Sequence, residues 1–176
     1  MLRPRAIIIA LAAMMIAVTT VLTYSVRIPI PATQGYFNFS DVATYFAAFT
    51  FGPWIGLLAG GAGAGLADLL GGYAQFAALT FLAHGTQGLL AGLLGRGKGL
   101  WGLLLAWVVG TCAMVGLYFL GEGLVLTGWG PALVEVPTNL FQNLVGVLVG
   151  VPLFYAVRKA YPPVTSLAET KRWREG

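Results

Sequence analysis

Charge is the scarcest property of this sequence. Asp, Glu, Lys and Arg make up 9% of its 176 residues, where a soluble domain carries roughly 25%, so they could not cover a surface that faces water. Mean hydropathy is +0.82 and 58% of residues are hydrophobic. These figures describe an integral membrane protein without a separate soluble domain. Cysteine is nearly absent. Cys112 stands alone in an apolar run, which excludes a disulfide framework and a thiolate metal site and predicts a packing role. His84 has no second histidine and no cysteine pair near it, so no metal is expected there. There is no GxxxxGKS or GxxxxGKT loop, no HExxH, no GxSxG and no plausible Ser/His/Asp set, which leaves enzyme readings little to stand on. The inner halves of the apolar segments carry no chain of titratable groups, against a proton relay, and no inverted repeat is visible. No cofactor is implied. The net charge of +4 is sorted by side of the membrane, not gathered for nucleic acid.

Apolar length is what the chain has in plenty, and about 20 residues fill one helical span. Helix 1 is expected over Ala6–Tyr24, too long for the core of a secretory signal. On it Ala6, Ala10, Ala13 and Ala17 fall on one stripe, which lets another helix approach closely. Packing within the chain and docking of a separate protein both fit that stripe. The two prolines of Ser25–Gln34 make it a loop. Helix 2, Phe37–Phe51, is short and carries Asp41. Helix 3, Pro53–Leu70, follows the Gly52-Pro53 turn, and its dense glycines predict very close helix contacts. After the Gly71–Gln75 turn come helix 4 (Phe76–Leu94), the basic loop at Arg96 and Lys98, and helix 5 (Leu100–Leu120). A loop over Gly121–Val136 precedes helix 6, Pro137 to about Tyr155, with Pro152 kinking its end.

Orientation follows from the cations. With six spans and a cytoplasmic N-terminus, Arg3, Arg5, Arg96, Lys98, Arg158, Lys159, Lys171, Arg172 and Arg174 all fall inside, and Arg27 alone is left outside. The expectation is an all-α membrane protein with six transmembrane helices and both termini cytoplasmic. Residues 1–160 form the membrane domain and 161–176 a polar cytoplasmic tail.

That arrangement puts Asp41, Asp68, Glu122 and Glu135 at the outer helix ends, beside Gln75 and an Asn139, Gln142, Asn143 cluster whose spacing aims it at one side of helix 6. Tyr36, Phe37, Tyr73, Phe76, Tyr118 and Trp129 lie at the same level. Apolar walls with a few fixed polar groups suit a small organic ligand; the alternative is that such residues simply belong at a membrane surface. His84 is either a hydrogen-bonded core histidine or the floor of that pocket. Four acids against one arginine disfavour an anionic ligand.

Four pieces of sequence together carry a family resemblance: Gly35-Tyr36-x-Asn38-x-x-Asp41, Phe51-Gly52-Pro53, Ala67-Asp68-Leu69 with Gly72-Tyr73, and Glu135-x-Pro137-x-Asn139-x-x-Gln142. The chain from about Ala6 to Val157 resembles the substrate-binding S components of energy-coupling factor (ECF) transporters, nearest the riboflavin and hydroxymethylpyrimidine type. One departure is His84-Gly85, where relatives carry a lysine before the glycine. The resemblance implies a multi-pass protein of the prokaryotic plasma membrane that captures a vitamin or vitamin precursor outside and works with a transmembrane T component and two ATPase subunits. It implies that the Ala6, Ala10, Ala13, Ala17 face contacts the T component and that Val26–Gln34 covers the substrate. The expected substrate-binding set is Asn38, Asp41, Asp68, Tyr73, Gln75, His84, Glu122, Glu135, Asn139, Gln142 and Asn143. A hydroxymethylpyrimidine or thiamine precursor is the first expectation for the ligand and riboflavin the second. A ligand-free membrane scaffold and an ion-coupled secondary carrier are the rival classes.

Overall fold

The computed structural model describes residues 4–169; the expected cytoplasmic residues Arg3, Lys171, Arg172 and Arg174 lie outside them. The chain runs α1 (Pro4–Ser25), β1 (Ile28–Ile30), β2 (Gly35–Phe37), α2 (Ser40–Phe51), α3 (Pro53–Gly71), α4 (Ala77–Gly95), α5 (Leu100–Leu126) and α6 (Trp129–Ala160). Among the described residues, five helices, all but α2, are long and apolar enough to cross a bilayer. Their outward faces expose Ile9, Leu58, Leu93, Leu105 and Leu148, side chains that lipid, not water, would cover without penalty.

α2 is the exception and also the centre. Its 12 residues span about 18 Å at 1.5 Å per residue, short of the roughly 30 Å hydrocarbon layer. Every residue but Phe46 is buried, with α1, α3, α4 and α6 packed around it. Since protein and not lipid surrounds it, α2 can carry Ser40, Asp41, Thr44 and Thr50, and Thr44 Oγ1 donates back to Ser40 O at 3.0 Å.

The glycine spacing of α3 has the consequence expected of it. A Cβ on Gly88 of α4 would run into the Gly56 carbonyl of α3, and one on Gly60 into the His84 carbonyl, so the two backbones touch. In the middle of this crossing α3 opens into a π-helical turn, Leu58–Gly63. Several boundaries differ from expectation. The loop after α1 folds into an antiparallel hairpin, Pro29 opposite Tyr36, turned at Gln34 with φ 61°. α5 does not stop at Leu120 but continues through a second π-helical turn, Glu122–Leu126. α6 starts at Trp129 and keeps Pro137 and Pro152 inside it; helices packed within a membrane bundle tolerate such prolines. The expected 16-residue loop therefore shrinks to Thr127 and Gly128, whose N–H groups both donate to Glu122 O.

At the opposite end Pro162–Ser166 forms a 3₁₀ turn that folds back under the bundle. Val164 is buried in a cluster with Met15, Ala47, Phe51 and Ile55. Cys112 is exposed on the outside of α5, not packed as its apolar neighbourhood suggested; in a lipid-facing run, apolar surroundings in sequence do not imply burial in protein.

Candidate ligand-binding site

A cavity of about 30 Å³ lies between the β-hairpin and the outer half of the bundle. Every helix except α2 contributes a wall: Thr23 from α1, Ala64 and Asp68 from α3, Thr80 and His84 from α4, Tyr118 and Glu122 from α5, and Glu135, Asn139 and Gln142 from α6. Gly35 and Tyr36 of β2, with Asn38 and Phe76, close it. The hairpin is a cover pinned from below: Gln142 Oε1 accepts the Asn38 N–H at 2.9 Å, and Asn38 Oδ1 accepts the Ser40 N–H at 2.8 Å, starting α2. Tyr36 Oη donates to Asp68 Oδ1 at 2.6 Å. Burial, and then the Asp68 carboxylate, hold the Tyr36 phenol well above the ordinary tyrosine pKa, so it stays a donor. Arg27 stands at the rim, its guanidinium 4.1 Å from the Tyr24 ring centroid and donating to Gly71 O at 3.2 Å.

Acceptors outnumber donors inside. Asp68 Oδ2, both Glu122 oxygens and Glu135 Oε2 are buried and accept no hydrogen bond from the described residues, while Glu122 and Glu135 are near enough to interact with each other. A buried carboxylate left without a donor costs roughly several kcal/mol, a cost that the facing Glu122 and Glu135 lessen by sharing a proton. The cavity therefore favours a guest that brings N–H or O–H groups or positive charge. Among the described residues no three His, Cys, Asp or Glu are grouped to hold a metal ion.

Below the cavity floor a polar network continues toward mid-bundle. His84 Nδ1 lies 3.0 Å from Asp41 Oδ1 and 3.0 Å from Gln87 Oε1. Gln87 Nε2 donates to Tyr45 Oη at 3.0 Å and Asn143 Oδ1 at 2.6 Å, and Tyr45 Oη donates to the same Asn143 oxygen at 2.7 Å. Asn143 Nδ2 closes the set on Asn139 O at 3.0 Å. Gln87 Oε1 at Nδ1, with the Asp41 carboxylate beside it, orients the ring and leaves Nε2 as the other ring nitrogen.

Of the eleven residues expected to meet a substrate, Asn38, Asp68, His84, Glu122, Glu135, Asn139 and Gln142 line the cavity. Asp41 stands behind His84 and Asn143 sits in the network beneath. Tyr73 lies at the rim against Tyr36, ring centroids 4.6 Å apart. Gln75 is a correction: it is exposed and belongs to a separate surface depression with Gln34 and Pro131, because the turn before α4 carries it past the hairpin. Sequence reasoning missed Thr23 and Thr80, saw Gln87 on the same helix as His84 without giving it a role, and placed Tyr36 and Tyr118 only by level. The signal was present on α4, where Thr80, His84 and Gln87 recur at helical spacing.

Residues 6–159 match the sequence model of the family described as ECF-type riboflavin transporter, S component. A thiamine precursor transporter, HmpT, of Lactococcus lactis subsp. cremoris is 36% identical over 142 residues, covering 80% of this chain and 81% of the relative. An uncharacterized protein of Pyrococcus woesei is 40% identical over 146 residues, covering 82% of this chain and 97% of that one. Among solved structures, one reported under "Structure and mechanism of the S component of a bacterial ECF transporter" superposes with a TM-score of 0.70 at 23% identity, covering 86% of this chain and 95% of that one; this likeness is one of fold.

Proposed function

The chain belongs to the ECF-type riboflavin transporter S component family, and from that premise we propose that it captures a small, donor-rich heteroaromatic vitamin precursor of the hydroxymethylpyrimidine kind in the hairpin-covered cavity. The observation that carries this reading is the set of buried carboxylate oxygens of Asp68, Glu122 and Glu135 without donors. An aminopyrimidine brings an exocyclic amine and a hydroxyl to such oxygens, and ring nitrogens to the amides of Asn38, Asn139 and Gln142. The flavin ring itself offers one N–H among its carbonyl and imine acceptors and leaves most of riboflavin's donors to its ribityl chain, and its three fused rings need far more room than one. The name of the 36% identical relative supports the pyrimidine; the description of the family keeps riboflavin as the second candidate.

In this reading Asp68, Glu122, Glu135, Asn38, Asn139, Gln142 and His84 touch the ligand, Tyr73 and Tyr36 shield it at the rim, and Asp41 and Asn143 act through the residues they hold. With about 30 Å³ of free space, room for roughly two waters and not for a ring, the cavity admits its ligand only as the hairpin Ile28–Phe37 lifts. S components of ECF transporters work with a T component and ATPases, and Ala6, Ala10, Ala13 and Ala17, all exposed on α1, are the face we assign to the T component. The proposed topology has six spans, the cavity outside and both termini in the cytoplasm of a prokaryotic cell. α2 would complete the count as a protein-wrapped helix.

Two measurements test this. Purified protein titrated calorimetrically with hydroxymethylpyrimidine, thiamine and riboflavin should bind the pyrimidine tightest; tighter riboflavin binding reverses the order, and no binding of any at micromolar concentration favours the scaffold reading. For topology, Gln75→Cys should react with an impermeant thiol reagent on intact cells and Lys98→Cys should not, both in a Cys112→Ser background. The opposite pattern inverts the protein.

A further inference from the structure

At the end of the bundle away from the carboxylates, a second depression of about 340 Å³ is lined by Phe49, Arg96, Phe154, Arg158, Thr165 and Glu169. We propose that it is a binding site for a phosphate-bearing anion and that its occupant is the headgroup of an anionic phospholipid.

Two arginines from different segments converge on this space. Arg96 leaves the end of α4 and is held in place, donating to Thr165 O at 2.9 Å and lying over the Gly52 turn, where a Cβ would come 2.7 Å from its Nη1. Arg158, near the end of α6, has its guanidinium 5.9 Å from the Phe154 ring centroid and, among the described residues, no acid within ion-pairing distance. Among the described residues the one countercharge is Glu169, 3.4 Å from Arg96 with its side chain 55% exposed. So exposed a pair is worth little, and a phosphate that accepts from both guanidiniums would displace it.

Phe49 and Phe154 line the same cavity and are buried, ring centroids 6.4 Å apart. Cations beside an apolar wall match the junction of a headgroup and its chains better than a free phosphate, which has no use for the wall. The level is also right: Trp54, just after the Gly52 turn, and Trp101, at the start of α5, are 71% and 84% exposed, as tryptophans are where a membrane meets water. Basic pockets between helices at that level bind anionic headgroups. The inference uses membrane insertion alone and does not depend on which vitamin the outer cavity takes.

The test uses the full chain in nanodiscs of phosphatidylcholine, with and without phosphatidylglycerol, read by retained lipid in native mass spectrometry and by thermal unfolding. Phosphatidylglycerol should be retained and raise the midpoint. Arg96→Lys with Arg158→Gln, substitutions chosen to spare folding and removing one positive charge, should weaken retention roughly five-fold or more, whereas Glu169→Gln should strengthen it. Equal loss from Lys98→Ala with Lys159→Ala would mean diffuse attraction and overturn the site. So would stabilisation by inorganic phosphate in detergent with no further gain from the lipid. Loss of vitamin binding with lipid retention intact would sink the outer-cavity reading and leave this one standing.

Discussion

The Asp41–His84 pair offers the sharpest test of how this fold is held at its centre. Asp41 is fully buried and His84 is 1% exposed, with Nδ1 to Oδ1 at 3.0 Å. Removing one member of such a pair leaves the other's polar or charged group in a dry interior, a cost of about 3–5 kcal/mol. For Asp41→Ala the lower end applies, because Gln87 Oε1 remains at 3.0 Å from Nδ1. For His84→Ala the upper end applies, because the Asp41 carboxylate accepts no hydrogen bond from the described residues and would lose its one nearby cationic partner. In the double variant neither orphan exists. Its cost should fall short of the sum of the singles by about 2–3 kcal/mol. Reversible unfolding of all four proteins in mixed detergent micelles measures that difference directly. Additivity within about 0.5 kcal/mol would refute the coupling, and with it the view that α2 is tied to the cavity floor through this pair.

Other outcomes follow from single contacts. Gln142→Leu strands the buried Asn38 N–H that Gln142 Oε1 now accepts at 2.9 Å; ligand affinity should drop by about 1–3 kcal/mol in a calorimetric titration, and unaltered affinity would remove α6 from the cover. Tyr36→Phe takes the 2.6 Å donor from Asp68 and should also weaken binding, by about 1–3 kcal/mol, in the same assay. Gly88→Leu drives a side chain into the Gly56 carbonyl and should destabilise the bundle by about 1–3 kcal/mol or more, read as a lower unfolding midpoint. Ala13→Trp, on the exposed side of α1, should leave ligand affinity unchanged but abolish uptake by the assembled transporter; normal uptake would count against that face.

Composition by itself decided the solvent: with so few charges the chain has to live in lipid, and the apolar segments, the close glycine-lined contacts of α3 and the gathering of acids at one end could all be read along the sequence, because helical periodicity and span length are local quantities. The ends of α5 and α6 could not. Pro137 reads as a helix start when only its missing N–H is considered, and only the packing around it permits a helix that began eight residues earlier at Trp129. Tertiary structure also separated residues that sequence had grouped. Gln75 and Phe76 are neighbours in the chain, yet one is exposed and the other lines the cavity. Asp41 and His84, 43 positions apart, meet only because Gly56, Gly60 and Gly88 let α3 and α4 close against α2. Such contacts depend on the distance between helix axes, and that distance is fixed by every interface of the bundle at once.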